Sequence, residues 1–313
     1  MKAVLRIGTR GSPLALAQTD ILITQLRGKH PELLEEGAIA VVTIITTGDK
    51  VQDRALSEVG GKGLFTKEIE EALLSGAIDC AVHSMKDMPT QLPDGLTISC
   101  LLPREDPRDA FFSLQAETLD ALLPGSVIGT SSLRRQAIIL ARRPDLKTVM
   151  LRGNVGTRLK KLQEGVVDAT ILAVAGLNRL GQGHLVKSIL EPEVMLPAVA
   201  QGAIGIEVRD NDARVKEILS AVHCPVTELR VTAERAFLEV MDGSCKTPLA
   251  ALLGAPDPRQ RARFDALVAR PDGTDVRKAS YLTRVSNLYE SRQLGESAGK
   301  ELKAKLPEGY FSF

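Results

Sequence analysis

Pro103-Arg104-Glu105-Asp106-Pro107-Arg108 is the stretch on which the reading of the fold turns. Two prolines bracket three charged residues and a fourth follows, a composition that interrupts regular structure and marks a hinge or linker. On its N-terminal side strands and helices alternate. Strands are expected at 3–9, 39–46, 78–83 and 96–101, a helix opens with Ser12 as N-cap and Pro13 at its first position, and a second helix covers 65–74. Beyond the linker the alternation resumes. A strand at 127–129 leads into a helix from Ser131 or Ser132, one at 148–151 into a helix from about Asn154, and one at 169–174 into another helix. A second crossing is read at Leu196-Pro197-Ala198-Val199-Ala200-Gln201-Gly202, before a strand at 204–209. Two similar α/β blocks joined by two short crossings predict a bilobal clamshell, whose ligands bind in the interdomain cleft at strand ends and helix starts. From Pro225 the pattern changes to a long helix ending at Met241, a Gly-Ser-Cys turn, strand-like runs and a last helix near 288–306, a smaller α+β domain. The expected division is 1–103 with 200–221, then 104–199, then 222–313.

Composition narrows the function classes. The 313 residues carry 40 Lys and Arg against 39 Asp and Glu, a net charge of +1, with 44% hydrophobic residues. That excludes a disordered chain, a collagen-like repeat and a disulfide miniprotein. Trp is absent and only three Tyr and seven Phe occur, which argues against the base-stacking platforms of single-stranded nucleic-acid binders. Arg outnumbers Lys, 24 to 16, and Arg is the better residue for planar contacts to carboxylate or phosphate. Cysteines at 80, 100, 224 and 245 form no CxxC pair, which fits a reducing cytosol better than a zinc site or disulfide framework. The opening MKAVLRIGTRGSPLAL holds no apolar run of signal-peptide length, and no stretch reaches the roughly 18 apolar residues of a membrane span. A cytoplasmic location is expected.

Charge is concentrated between Thr130 and Lys161, where nine basic residues face a single acid, Asp145. Arg142, Arg143, Lys160 and Lys161 read as a solvated helix face. Arg134, Arg135, Arg152 and Arg158 lie at or beside helix starts, where unpaired backbone N–H groups and the helix dipole already favour an anion. The patch is short, lacks aromatics and belongs to a nearly neutral chain, so a multiply charged small molecule fits better than nucleic acid. Gly60-Gly61-Lys62-Gly63 lacks the spacing of a phosphate loop and reads as a lid or turn. In His83-Ser84-Met85-Lys86-Asp87-Met88-Pro89, after an apolar strand, Asp87 is either a turn or salt-bridge residue or a carboxylate placed to move protons. His83 reads as a hydrogen-bonded structural histidine. Cys80 and Cys100 read as inert core residues, while Cys245, in a glycine-containing turn beside Lys246, is the candidate reactive thiol.

Taken in order, these segments resemble the porphobilinogen deaminase (hydroxymethylbilane synthase) family. The match runs through Arg6-Ile7-Gly8-Thr9-Arg10, Gly60 to Phe65, Ala81 to Asp87, Arg104 to Ala110, Gly129 to Gln136, Leu151 to Arg158, Ala173 to Leu177, Gln201-Gly202 and Glu234-Arg235-Ala236 before Cys245. The last 60 or so residues are the least diagnostic. The resemblance implies a transferase of tetrapyrrole biosynthesis. It would join four porphobilinogen molecules head to tail, release four ammonia and yield linear hydroxymethylbilane. It implies a covalent dipyrromethane cofactor bound through a thioether to Cys245, and three domains, the first two resembling type II periplasmic binding proteins. Asp87 matches the catalytic aspartate. Lys86, Ser84, Ser131, Arg134, Arg135, Arg152 and Gly153 match cofactor-binding positions, and Arg10, Ser12, Arg158 and Gln201 substrate-binding ones. No metal is implied, the partners are porphobilinogen and linear pyrrole intermediates rather than nucleic acid or membrane, and the chain is expected to be a monomer. Relatives often carry Gly-Gly-Cys at the cofactor loop, where this chain has Gly243-Ser244-Cys245; the added Cβ limits positive φ at 244.

Overall fold

The computed structural model describes residues 5–50, 63–243, 247–257 and 261–310. The chain divides into two compact units, one of Met1–Glu105 with Ala203–Thr227, the other of Asp106–Gly202 with Glu228–Phe313. Unit 1 begins with β1 (Leu5–Arg10), α1 (Pro13–Arg27), β2 (Ile39–Ile44), the short α2 (Thr47–Lys50), α3 (Lys67–Leu74), β3 (Cys80–Ser84) and β4 (Leu96–Leu101). Unit 2 follows with β5 (Asp109–Ser113), β6 (Val127–Gly129), α4 (Leu133–Arg142), β7 (Lys147–Val149), α5 (Val155–Gln163), β8 (Ala169–Ala173), α6 (Val174–Arg179) and β9 (Ser188–Leu190). The chain then returns to unit 1 as β10 (Ile204–Arg209) and α7 (Ala213–Ser220). It ends with α8 (Pro225–Val240), the strands β11 (Leu249–Leu253), β12 (Arg261–Ala269) and β13 (Val276–Arg284), and α9 (Leu288–Ala304).

The two larger sheets are wound alike. Their strand orders are β2-β1-β3-β10-β4 and β7-β6-β8-β5-β9. In each, three parallel strands are followed by one antiparallel strand and an edge strand. The antiparallel strand is in both cases the first to form after the chain enters the unit: β5 after the first crossing, β10 after the second. Side chains alternate faces along each strand, so unit 1 has two apolar layers. Leu5, Ile7, Cys80, Val82, Ile206 and Val208 pack with Leu22, Leu26, Val215 and Leu219 of α1 and α7. Ala81 and Ile78 pack with Ile69 and Leu73 of α3. Each Leu, Ile or Val among them, fully buried, is worth about 1.5–3 kcal/mol.

In unit 2 the main core, with Phe111, Ile128, Ile139, Ile171 and Met195, continues without a break into Ala250, Leu252, Leu267 and Ala269 of the antiparallel sheet β11-β12-β13. Behind that sheet α9 crosses α8 closely at Gly295, where a Cβ would fall 2.0 Å from the Ala233 carbonyl oxygen. Helix starts follow the expected capping chemistry. Ser12 Oγ accepts from Ala15 N with Pro13 first in α1, Ser132 Oγ accepts from Arg135 N, and Asn154 Oδ1 accepts from Thr157 N. The second crossing is held by the buried Glu234 of α8, whose Oε2 accepts from Ala200 N at 2.7 Å and whose Oε1 accepts from Leu253 N at 3.0 Å. Ala200 itself has φ 57, a strained backbone for a residue with a Cβ, costing on the order of 1 kcal/mol or more.

Candidate functional site

Unit 1 builds a pocket at the C-terminal ends of its parallel strands, where an open α/β sheet presents its loops. β1 ends at Arg10 and the chain turns at once into the Ser12 cap of α1. β3 ends at Ser84, and one 3₁₀ turn, Met85–Asp87, buries Met85 and leaves Asp87 exposed. The result is a pocket of about 450 Å³, open to solvent, lined by Arg10, Ser12, Gln18, Phe65, Ser84 and Asp87 among others. Gln18 Nε2 donates to Ser84 Oγ at 2.8 Å. The Arg10 guanidinium is ion-paired to Asp49 and lies 4.2 Å from the centroid of the Phe65 ring. Burial acts to raise the Asp49 carboxyl, but hydrogen bonds from Arg10 and Thr46 outweigh it and hold the group below the usual carboxylate range. Lys86 stands half-buried in the same turn. His83, one strand residue earlier, has the hydrogen bond expected of it: its Nε2 lies 3.0 Å from Glu207 Oε2.

Unit 2 assembles its arginines around a residue to which the sequence reading assigned no role. Asp109, at the start of β5, is fully buried. It accepts from Arg134 Nη2 at 2.8 Å, from Arg135 Nη2 at 2.7 Å and from Gln201 Nε2 at 2.8 Å. Arg134 Nη1 also donates to Leu196 O, Arg135 Nη1 to Ile171 O and Gln201 Nε2 to Pro107 O. Burial would raise the Asp109 carboxyl, yet the two guanidinium charges dominate and hold it well below the ordinary range. Arg134 and Arg135 are thus built into the interior, 5% and 6% exposed. Arg134 Nε has no hydrogen-bond partner among the described residues. A signal for Asp109 did exist in the sequence: nine basic residues against one acid between 130 and 161 require a counter-charge from elsewhere.

The other arginines lie at the start of α5. Arg158 Nε donates to Gly153 O at 2.9 Å, and Lys161 Nζ donates to Arg152 O at 3.3 Å. Gly153 has φ 120, and a Cβ there would fall 2.6 Å from the Thr157 side chain, so only glycine fits this turn. Burial first, then repulsion from Arg135 and Arg152, lower the Arg158 guanidinium to about 10. Ser131 Oγ donates to Leu151 O at 2.7 Å, joining the turn before α4 to the segment before α5. Unit 1 thus groups Arg10, Ser12, Ser84 and Asp87 at one pocket, and unit 2 groups Arg134, Arg135 and Gln201 on Asp109, with Arg135 and Arg152 close enough to Arg158 to repel its charge. Ser244, Cys245 and Lys246, and Gly60 to Lys62 of the expected lid, lie outside the described residues. Among the described residues no helix is long and apolar enough to cross a membrane.

A pair of like-wound α/β sheets, with an arginine cluster on one and a strand-end carboxylate on the other, defines an α/β protein with two charged side-chain clusters. Comparison with known proteins specifies it. Residues 5–217 match the family model "Porphobilinogen deaminase, dipyromethane cofactor binding domain" and residues 228–304 match "Porphobilinogen deaminase, C-terminal domain". The chain belongs to the porphobilinogen deaminase family. It is 53% identical over 309 residues to porphobilinogen deaminase of Paracoccus denitrificans, covering 99% of this chain and 96% of the relative. It is 52% identical over 312 residues to the chloroplastic enzyme of Oryza sativa subsp. japonica, covering 99% and 86%. Among solved structures, a YaeC-family lipoprotein from Enterococcus faecalis is similar over 70% of this chain and 91% of its own, with 12% identity and a TM-score of 0.45. The protein is accordingly a transferase of tetrapyrrole biosynthesis that uses a dipyrromethane cofactor and condenses four porphobilinogen molecules into hydroxymethylbilane with loss of four ammonia.

Proposed function

We propose that Asp87 is the carboxylate that carries this chemistry and that Cys245 anchors the cofactor through a thioether. The observation that supports Asp87 is its position in the unit 1 pocket beside Arg10, Ser12 and Ser84. Porphobilinogen brings an acetate and a propionate, and loss of ammonia from its aminomethyl group leaves a cationic azafulvene. Asp87 stabilises that cation and exchanges protons with the pyrrole N–H, a contribution of roughly 10²–10³ in rate for a well-placed electrostatic group. Arg10, Ser12, Arg158 and Gln201 are the substrate-binding positions of this reading, by family resemblance.

The residues of unit 2 fit a dipyrromethane. Burial, with repulsion from Arg135 and Arg152 added to it, lowers the Arg158 guanidinium to about 10, and a group bearing several carboxylates would offset that cost. Arg134, Arg135, Arg152, Ser131 and the Gly153 turn would hold it, and Ser84 and Lys86 belong to the same cofactor-binding reading by family resemblance. Arg134 and Arg135 act through the N–H groups that Asp109 and the backbone leave over, including Arg134 Nε. When bound, the cofactor supplies a pyrrole with an unsubstituted α-carbon, the nucleophile of the first addition.

The three-domain division 1–103 with 200–221, 104–199 and 222–313 belongs to the same reading. So do a monomeric state, a cytoplasmic location, and porphobilinogen and linear pyrroles as the only partners, with neither nucleic acid nor membrane. The near-neutral net charge supports these partners. The test is Asp87→Asn. The variant is expected to retain the cofactor by intact mass and to lose turnover by about 10²-fold or more; near-normal activity would remove Asp87 from this role.

A further inference from the structure

Beneath the unit 1 pocket lies a group of buried ionisable side chains that the chemistry above leaves unused. His83 borders the pocket with Asp87 and is 6% exposed. Its Nε2 lies 3.0 Å from Oε2 of Glu207, which is fully buried. Sheet register produces this pair. β10 runs antiparallel to β3 with Gly205 opposite His83 and Glu207 opposite Ala81, so the two side chains are diagonal neighbours on one face. α3 covers that face and adds Glu70, whose carboxyl is pushed up by burial and by the charge of Glu207. Glu70 Oε1, Glu207 Oε1 and Thr66 Oγ1 are all buried without a hydrogen-bond partner among the described residues. Where the Glu207 carboxylate accepts from Nε2–H, Nδ1 of the ring is left with a lone pair. The side-chain hydrogen bond that His83 makes among the described residues runs through Nε2. A carboxylate that fixes one ring nitrogen and leaves the other to a pocket is the arrangement of an oriented general base.

We propose that His83, oriented by Glu207, is a second proton-handling residue of the reaction and accepts at Nδ1 the proton that leaves the pyrrole α-carbon after each coupling. The proposal rests on the porphobilinogen reading of this pocket. Ammonia leaves the protonated aminomethyl group of the incoming porphobilinogen with the C–N electron pair. The α-carbon of the previously added ring gives its π pair to the resulting methylene carbon, and the new C–C bond forms. The α-C–H bond then breaks, its electron pair restores the pyrrole, and the proton goes to Nδ1. The imidazolium, held by Glu207 through Nε2–H, passes the proton to the departed ammonia, which leaves as ammonium. His83 is returned to its starting state and no co-reactant is consumed.

His83→Gln separates this role from a structural one, because the glutamine amide still donates to Glu207 while the Nδ1 base is gone. The holoenzyme variant is expected to keep its cofactor mass and melting temperature, to lose kcat by about 10²-fold with KM little changed, and to show a primary isotope effect with porphobilinogen deuterated at the unsubstituted α-carbon. A near-wild-type kcat, or no isotope effect, overturns the proposal. Glu207→Gln keeps an acceptor for Nε2 and removes the charge. It is expected to lower kcat roughly tenfold with the same isotope effect, and it decides the matter if His83→Gln does not fold. Independently of turnover, ¹⁵N NMR of histidine-labelled holoenzyme in alkaline buffer should show His83 as the Nε2–H tautomer; the Nδ1–H tautomer contradicts the assignment. Failure of the underlying reading looks different, since the wild type itself would then form no hydroxymethylbilane.

Discussion

The two larger sheets share one winding and place a buried carboxylate on the corresponding strand, yet they use it oppositely. In unit 2 the strand after the first crossing, β5, carries Asp109, which meets two guanidinium groups. In unit 1 the strand after the second crossing, β10, carries Glu207, which meets an imidazole. Arginine stays charged at any working pH, so the Asp109 assembly is a fixed frame that orients its donors. An imidazole can either donate or accept a hydrogen, and the Glu207 assembly borders the unit 1 pocket through His83. One topology thus carries an arginine-framed carboxylate in one unit and an imidazole-paired carboxylate in the other, and the partner of a single buried acid sets the difference.

The comparison breaks most readily at Asp109. Asp109→Ala leaves two buried guanidinium groups without their counter-charge and is expected to destabilise the protein by about 3–5 kcal/mol in urea unfolding. A loss below about 1 kcal/mol would show that the arginines are not framed by this residue. The acid limb of stability carries the same signature. A carboxyl lowered in the folded state contributes fully above its unfolded value, near pKa ~3.9, and that contribution is lost as pH falls through the lowered folded value. Stability should therefore decline on acidification in the wild type, and Asp109→Asn should flatten that decline.

Arg152→Leu sharpens the assignment of unit 2 to anion binding. A charge-assisted hydrogen bond is worth about 1.5–3 kcal/mol, so saturation by porphobilinogen should weaken by roughly 10-fold or more. Unchanged saturation and unchanged cofactor assembly would remove Arg152 from the site. The smallest effect is expected on the solvated side of the same basic stretch. Arg142 pairs with Asp120 at the surface, and Asp120→Asn should change stability by less than about 0.5 kcal/mol and leave activity alone. A larger effect would mean that the outward basic residues belong to the functional cluster.

Much of this was legible in local sequence. Ser12-Pro13, Ser132 and Asn154 mark helix starts because capping is a contact over three residues. The strand at 204–209 was read to the residue, and the long helices at 225 and 288 within two. The short strands β5 and β9 and the helix α7 were not read. β5 and β9 are defined by antiparallel partners distant in the chain, Ala173 for Asp109 and Leu190 beyond it, and nothing local distinguishes five such residues from a loop. The site divides the same way. Arg134, Arg135, Arg152 and Arg158 stood out by charge density and helix position, whereas Asp109 and Glu207 work through partners 25 and 124 positions away. Their roles follow only from strand order, which periodicity does not encode.

The most direct test of the account is the denatured intact mass of the purified protein, with peptide mapping around Cys245. An excess of roughly 0.4 kDa, about two deaminated pyrrole units, is expected on that cysteine, or, from a bare apoprotein, gain of the same mass and onset of turnover once porphobilinogen is added. A chain that stays at its unmodified mass in the presence of porphobilinogen would contradict it.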